Sequence, residues 1–173
     1  DLEPDLVLGF SDLQADIAAD LVRAGIEVYV FNHRSVAGIL GMIRRVGALV
    51  GAGDRADALA RELAAHVESV RAEAAALPWR PAVYFEEWDD PPITGIRWVS
   101  ELIEAAGGRD CFAERAASAD AKGRILEDPE EVVRRAPDVI VGSWCGKRFR
   151  PERVAARPGW DAIPAVREGR LHE

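Results

Sequence analysis

Tyr84-Phe85-Glu86-Glu87-Trp88-Asp89-Asp90-Pro91-Pro92-Ile93-Thr94-Gly95 is the stretch on which the fold turns. The apolar run from Ala82 to Phe85 reads as a buried strand. It breaks into carboxylates, a tryptophan, two prolines and Thr94-Gly95. Arg97 to Ala106 follows with the periodicity of an amphipathic helix. Strand, polar-aromatic loop, helix is the order that puts a ligand crevice at the carboxyl end of a strand in an open α/β sheet. The bland alternative is a surface loop of solvated acids with Trp88 as a lid over the core. Tryptophan set beside glutamate and aspartate favours the ligand.

Upstream, Asp5 to Gly9 is a short apolar strand after Pro4. Ser11 or Asp12 caps a helix running to about Arg23, with Leu13, Ile17 and Leu21 on one face, and Gly25 ends it. Ile26 to Phe31 is the next strand, so a parallel pair with a right-handed crossover is expected. Asn32-His33-Arg34-Ser35 is the second strand-to-helix loop. Ser35 caps a helix from Val36 to Val50, whose stripe is Ile39, Leu40, Ile43, Val46 and Leu49. After Gly51-Ala52-Gly53, Asp54 caps an unbroken helix to Leu77, roughly 36 Å long at 1.5 Å per residue. That length suits a connector between two lobes.

Downstream, Gly107-Gly108 caps the helix that follows the central stretch. Arg109 to Ala121 is small-residue-rich and reads as loop with a turn of helix. Asp128-Pro129 opens a helix to Arg135, with proline at the first helical position. Pro137 to Gly142 repeats the pattern of Pro4 to Gly9, and each precedes a loop carrying an aromatic, Trp144 and Phe10 respectively. Two similar α/β lobes follow from that repetition. Residues 157–166 pack a short helix, and Gly169 to Glu173 resembles an unfinished final strand.

The totals exclude some classes. The chain has 173 residues and a formal net charge of −8, which argues against a general nucleic-acid binder, since phosphate neutralisation needs a basic face. Cys111 and Cys145 lie far apart without a CxxC pair, so neither a zinc site nor a disulfide framework follows, and a single bridge between them stays open. No apolar run is long enough to span a bilayer.

Several ordered pieces resemble one known family. They are Leu2 to Gly9, the 54–77 connector, Gly95 to Gly108, Ala136 to Val141, and Trp160 to Leu171 (Trp-Asp-Ala-Ile-Pro-Ala-Val-Arg-Glu-Gly-Arg-Leu). In that order they resemble the class III substrate-binding proteins of ABC importers, which carry cobalamin, haem and iron-siderophores. The resemblance is nearest to cobalamin- or iron-chelate-binding members, in which Glu-Glu-Trp-Asp stands where Glu86–Asp89 stands here. It implies an α/β fold of two Rossmann-like lobes with parallel sheets joined by one long α-helix. The expected division is 1–53 for the remainder of the N-terminal lobe, 54–78 for the connecting helix and 79–173 for the C-terminal lobe. The family pattern has further strands before Asp1 and a strand and helix after Glu173, so the chain is expected to be part of a longer protein.

The resemblance also implies binding rather than catalysis. A metal chelate, cobalamin or a ferric chelate, would be held between lobes and delivered to a membrane-embedded ABC permease, with no intrinsic cofactor and no nucleic acid. Closure on the ligand would be small because the long helix resists hinging. The expected location is periplasmic or otherwise extracytoplasmic, with a cytoplasmic one open. Loops after strands supply the ligand candidates. They are Phe10, Ser11, Asp12 and Gln14, then Asn32, His33 and Arg34, in the first lobe. In the second they are Glu86, Glu87, Trp88, Asp89 and Ile93, then Ser143, Trp144, Cys145, Lys147 and Arg148. Aromatic faces with a few polar groups suit a large, flat, partly apolar chelate. Where cobalamin binders show an aromatic, this chain has Lys122 or Arg124, and with Lys147, Arg148 and Arg150 that points toward an anionic chelate; the alternative is a solvated basic loop.

His33 is a metal ligand for the chelate or a helix-entry histidine bonded to backbone. Trp98 and Trp160 read as core. Asp16 and Glu130 match the exposed carboxylates that dock such proteins on permease arginines, or are simply acids in a helix first turn. The competing readings are a chelatase-like enzyme using His33 with the 86–89 acids, and a cytoplasmic chelate-binding protein of the same fold.

Overall fold

A computed structural model describes residues 2–118 and 120–173; Ala119, in the stretch expected as loop, lies outside the described residues. The chain divides into two units, Asp1–Ala60 and Arg61–Glu173. The α/β class with parallel strands holds in both.

In the first unit β1 (Val7–Phe10) and β2 (Val28–Phe31) pair in parallel, Val7 opposite Val28 and Phe10 opposite Phe31. Between them runs α1 (Ala15–Arg23), entered through a 3-10 turn at Asp12–Gln14 whose cap is Ser11. Gly25, at φ +79°, turns the chain out of α1, a conformation that favours a residue without Cβ. α2 (Val36–Leu49) begins as expected at Ser35, whose Oγ accepts the Gly38 N–H at 3.0 Å. α3 (Gly53–Ala74), which begins in this unit and runs past its end at Ala60, starts two residues early, which puts Asp54 in its first turn rather than at its cap, and stops before the expected Leu77. A Cβ on Gly47 would come within 2.1 Å of the Ala56 Cβ, so the α2–α3 approach in this unit depends on that glycine.

The second unit corrects the reading of the central stretch. β3 does not stop at Phe85; it spans Ala82–Asp89 and turns through a cis Asp90–Pro91 bond into antiparallel β4 (Pro92–Thr94). The expected polar-aromatic loop is a hairpin. The reason is that its acids are paired by partners distant in sequence, so they can sit on a half-buried strand. A bulge between Glu86 and Trp88 breaks the side-chain alternation there, as bulges near sheet ends commonly do.

After α4 (Arg97–Ala105), the stretch expected as loop with a turn of helix holds that turn, α5 (Ala113–Ala116), and also a short strand that was not expected, β5 (Arg109–Asp110). α6 spans Glu130–Arg135; the Asp128 carboxylate accepts the Glu130 N–H at 3.0 Å, and Pro129 between them already has helical angles, φ −61° and ψ −20°, as expected of a proline at a helix start. β6 (Val139–Gly142), α7 (Pro151–Ala155), α8 (Pro164–Arg167) and β7 (Leu171–His172) complete the unit. The sheet order is β4-β3-β6-β7, with β5 beside the start of β3, and only β4 is antiparallel. The final residues thus form the strand expected of them. Tyr84, Phe112, Leu126, Val132, Ile140, Trp160 and Ile163 make the core. Trp160 is core as expected, whereas Trp98 is only half-buried. Cys111 and Cys145 are both free thiols, one buried and one exposed, and burial pushes the Cys111 thiol up to about 11. No helix among the described residues is long and apolar enough to cross a membrane.

Candidate functional site

The carboxyl ends of β3 and β6 carry most of the expected ligand residues, and the structure sorts them. Glu86 is fully buried. Its carboxylate accepts from Tyr84 Oη at 2.9 Å, from Trp144 Nε1 at 3.0 Å, and from both Arg157 terminal nitrogens at 2.6 and 2.9 Å. Glu86, expected as a ligand contact, is thus the anchor of a buried network. Burial, then the charge of Glu86, pushes the Tyr84 hydroxyl well above its usual value, which keeps it protonated and donating.

Trp144 belongs to the same network. It is buried, packs edge-to-face on Phe149 with centroids 5.0 Å apart, and spends its N–H on Glu86. Glu87 is held by Arg124 through contacts of 2.5 and 3.2 Å. Arg124 also donates to the Thr94 carbonyl and is itself buried, so of the two cations expected near an anionic ligand Arg124 is paired internally, while Lys122 is exposed.

What stays accessible is a smaller surface made of Trp88, Lys147 and Arg148. Trp88 is half-buried, with its N–H on the Asp90 carbonyl at 2.9 Å. Lys147 Nζ lies 3.9 Å from the Trp88 ring centroid and 5.4 Å from that of Trp144, and it pairs with the buried Asp89. Burial raises the Asp89 carboxyl, but Lys147 beside it outweighs this and holds it below the usual range. Arg148 is exposed near Glu173. Ser143 and Cys145 are exposed on the same loop, and Ile93 is half-buried on β4.

In the first unit the candidates do gather. Phe10, half exposed at the end of β1, lies 5.2 Å from the His33 ring and under the Arg34 guanidinium at 5.4 Å. Arg34 pairs with Asp12 at 3.1 Å. Ser11 is buried and sits at φ 74°, a conformation nearly reserved for glycine. It is held by its N–H on the Phe31 carbonyl at 2.8 Å, while the Gln14 amide oxygen accepts the Phe10 N–H. Ser11 therefore shapes the turn that presents Phe10. Gln14 and Asn32 are exposed.

His33 Nδ1 is buried without a hydrogen-bond partner, so it does not make the backbone bond expected of a helix-entry histidine. Burial, then the charges of Arg34 and Arg45, hold its pKa below 6.5. The unfolded imidazole takes up a proton near its ordinary value while the folded one resists. Stability is therefore complete above 6.5 and falls as pH drops through the window beneath it. An NMR titration should place the His33 midpoint below 6.5, and His33→Gln should flatten the acid slope of stability; a midpoint at or above 6.5 contradicts this. Among the described residues no group of three or more His, Cys, Asp or Glu side chains is arranged to hold a metal ion.

Arg157 and Phe149, which sequence reasoning passed over, organise these surfaces together with Arg124, which had been singled out for a different role. The two arginines meet partners far away in sequence, Arg157 from Glu86 by 71 residues and Arg124 from Glu87 by 37, so no local spacing could signal those ion pairs. Phe149 packs on Trp144 in its own loop.

Comparison with known proteins follows from this geometry. The family model described as "Periplasmic binding protein" matches residues 1–173. A comparison with curated protein sequences gives no match. Among solved structures, an ABC transporter substrate-binding protein from Listeria monocytogenes EGD-e is similar with a TM-score of 0.78 at 22% identity, over 99% of this chain and 67% of that one. The periplasmic heme-binding protein RhuT from Roseiflexus sp. RS-1 is similar at 0.79 and 25%, over 99% and 66%. S. aureus IsdE, solved complexed with heme, is similar at 0.77 and 17%, over 99% and 68%. The chain thus spans about two thirds of the length of these three structures.

Proposed function

From a chain that belongs to the periplasmic binding protein family, we propose the binding of a ferric chelate of the haem class for delivery to an ABC permease, outside the cytoplasm. One observation carries the reading. At the carboxyl ends of the parallel strands, each unit presents an aromatic ring beside a cation: Phe10 with Arg34 in the first, Trp88 with Lys147 in the second. A flat chelate with acidic groups at its edge matches a ring face plus a cation. Cobalamin, whose ring-edge side chains are amides and whose one acidic group is the phosphodiester of its nucleotide loop, matches two cations less well. The heme-binding descriptions of RhuT and IsdE support the same choice.

The division into an N-terminal lobe, a connecting helix over 54–78 and a C-terminal lobe from 79 belongs to this proposal. So does permease docking through Asp16 and Glu130, which are exposed acids in the first turns of α1 and α6. The family is one of binding proteins, so the 86–89 acids have no catalytic part to play, and their internal pairing agrees.

The test is a titration with iron(III) protoporphyrin IX, hydroxocobalamin and a ferric siderophore, following tryptophan fluorescence. Iron protoporphyrin should quench tightly, and Trp88→Ala should remove most of the response. Quenching by cobalamin alone would replace the ligand assignment, and no response to any of the three would remove the binding reading.

A further inference from the structure

We propose that Lys147 is a selectivity latch: in the ligand-free protein it lies on Trp88 with Asp89 as counter-ion, and it exchanges that carboxylate for an acidic group of the ligand. The inference rests on the chelate-binding reading above and sharpens it to planar chelates bearing carboxylates.

Three features make the exchange one-sided. The Lys147 side chain is 37% exposed whereas that of Asp89 is 5% exposed, so the cation is free to swing outward and the anion is not. Arg153 stands 3.9 Å from the second Asp89 oxygen, so Asp89 keeps a positive neighbour when Lys147 leaves. Without it a buried carboxylate would be stranded, which is strongly unfavourable. The surroundings, finally, are fixed. Trp144 and Phe149 are buried on either side of Lys147 in the loop, and the Trp88 N–H is tied to the Asp90 carbonyl, so the side chain of Lys147 is the part able to move.

Selectivity follows from what happens to the ammonium. A chelate with carboxylates gains the ring face and re-pairs the displaced cation. A neutral chelate must push a paired cation off Trp88 and gives it nothing in return. The closed latch is therefore a cost applied to the wrong ligand, which is how much specificity is built.

The experiment compares iron(III) protoporphyrin IX with its dimethyl ester, which has the same ring without acidic groups, on the wild type and on Lys147→Met, Lys147→Arg and Asp89→Asn. The wild type should prefer the free acid by about tenfold or more, the size of one charge-assisted hydrogen bond. Lys147→Met should abolish the preference, chiefly by weakening the free acid, while Lys147→Arg keeps it. Asp89→Asn should tighten the free acid, because the resident competitor is gone. Equal binding of acid and ester by the wild type, or a preference unchanged in Lys147→Met, overturns the latch and leaves chelate binding standing. Binding of neither porphyrin by the wild type overturns both.

Discussion

Arg157→Met is expected to destabilise the second unit by about 3–5 kcal/mol, the usual consequence of removing one partner from a buried ion pair. Glu86 is fully buried, and Arg157 supplies two of its four hydrogen bonds and its only directly bonded positive charge among the described residues. The methionine keeps some packing against Trp160, over which the guanidinium lies at 4.5 Å, so the loss reports the charge more than the volume. Urea unfolding followed by tryptophan fluorescence measures it. Adding Glu86→Gln should recover part of the loss, because the second change removes the stranded charge. If Arg157→Met costs under about 1 kcal/mol, the pair behaves as an exposed surface pair and the network described here is wrong.

The second large effect is expected at Gly142. A Cβ there would lie 2.0 Å from Phe149 Cδ2 and 2.1 Å from Cε2. Gly142 closes β6 and Phe149 is buried against it, so the ring has no small adjustment available and must leave its seat. Gly142→Ala should cost about 3 kcal/mol through overpacking and the displaced ring. The consequence reaches the candidate surface, because Phe149 packs on Trp144 and together they pin the loop that carries Lys147. Near-ultraviolet circular dichroism should show the altered tryptophan environment. The double variant Gly142→Ala/Phe149→Leu should lose less than the sum of its parts, since a smaller side chain relieves the contact. Strict additivity would show that the two positions do not meet.

Much of this molecule could be read before any coordinates. Ser35 capped α2, Gly25 ended α1, and the Pro-Asp-apolar-Gly pattern marked β1 and β6. These are local signals, in which the residue that causes the structure lies within a few positions of it. The reading failed where the cause was distant. Glu86 to Asp89 were read as a polar-aromatic ligand loop, because acids on a strand are costly alone and nothing nearby announced that Arg157, Arg124 and Lys147 would pair with them.

By itself, then, the sequence determined the class of fold and the order of its longer strands and helices, though not the short β4 and β5, because hydrophobic periodicity and capping act over one or two turns of chain. Which of those residues face outward was decided only by tertiary structure. Glu86 and Trp144 are as polar and as aromatic as Asp12 and Phe10, and they occupy equivalent strand ends. The first two are buried because Tyr84 and Arg157 converge on Glu86, and Phe149 on Trp144, while Phe10 stays half exposed. Burial is a property of all the neighbours that the fold assembles around a side chain, and Arg157 and Trp144 reach Glu86 from 71 and 58 residues away.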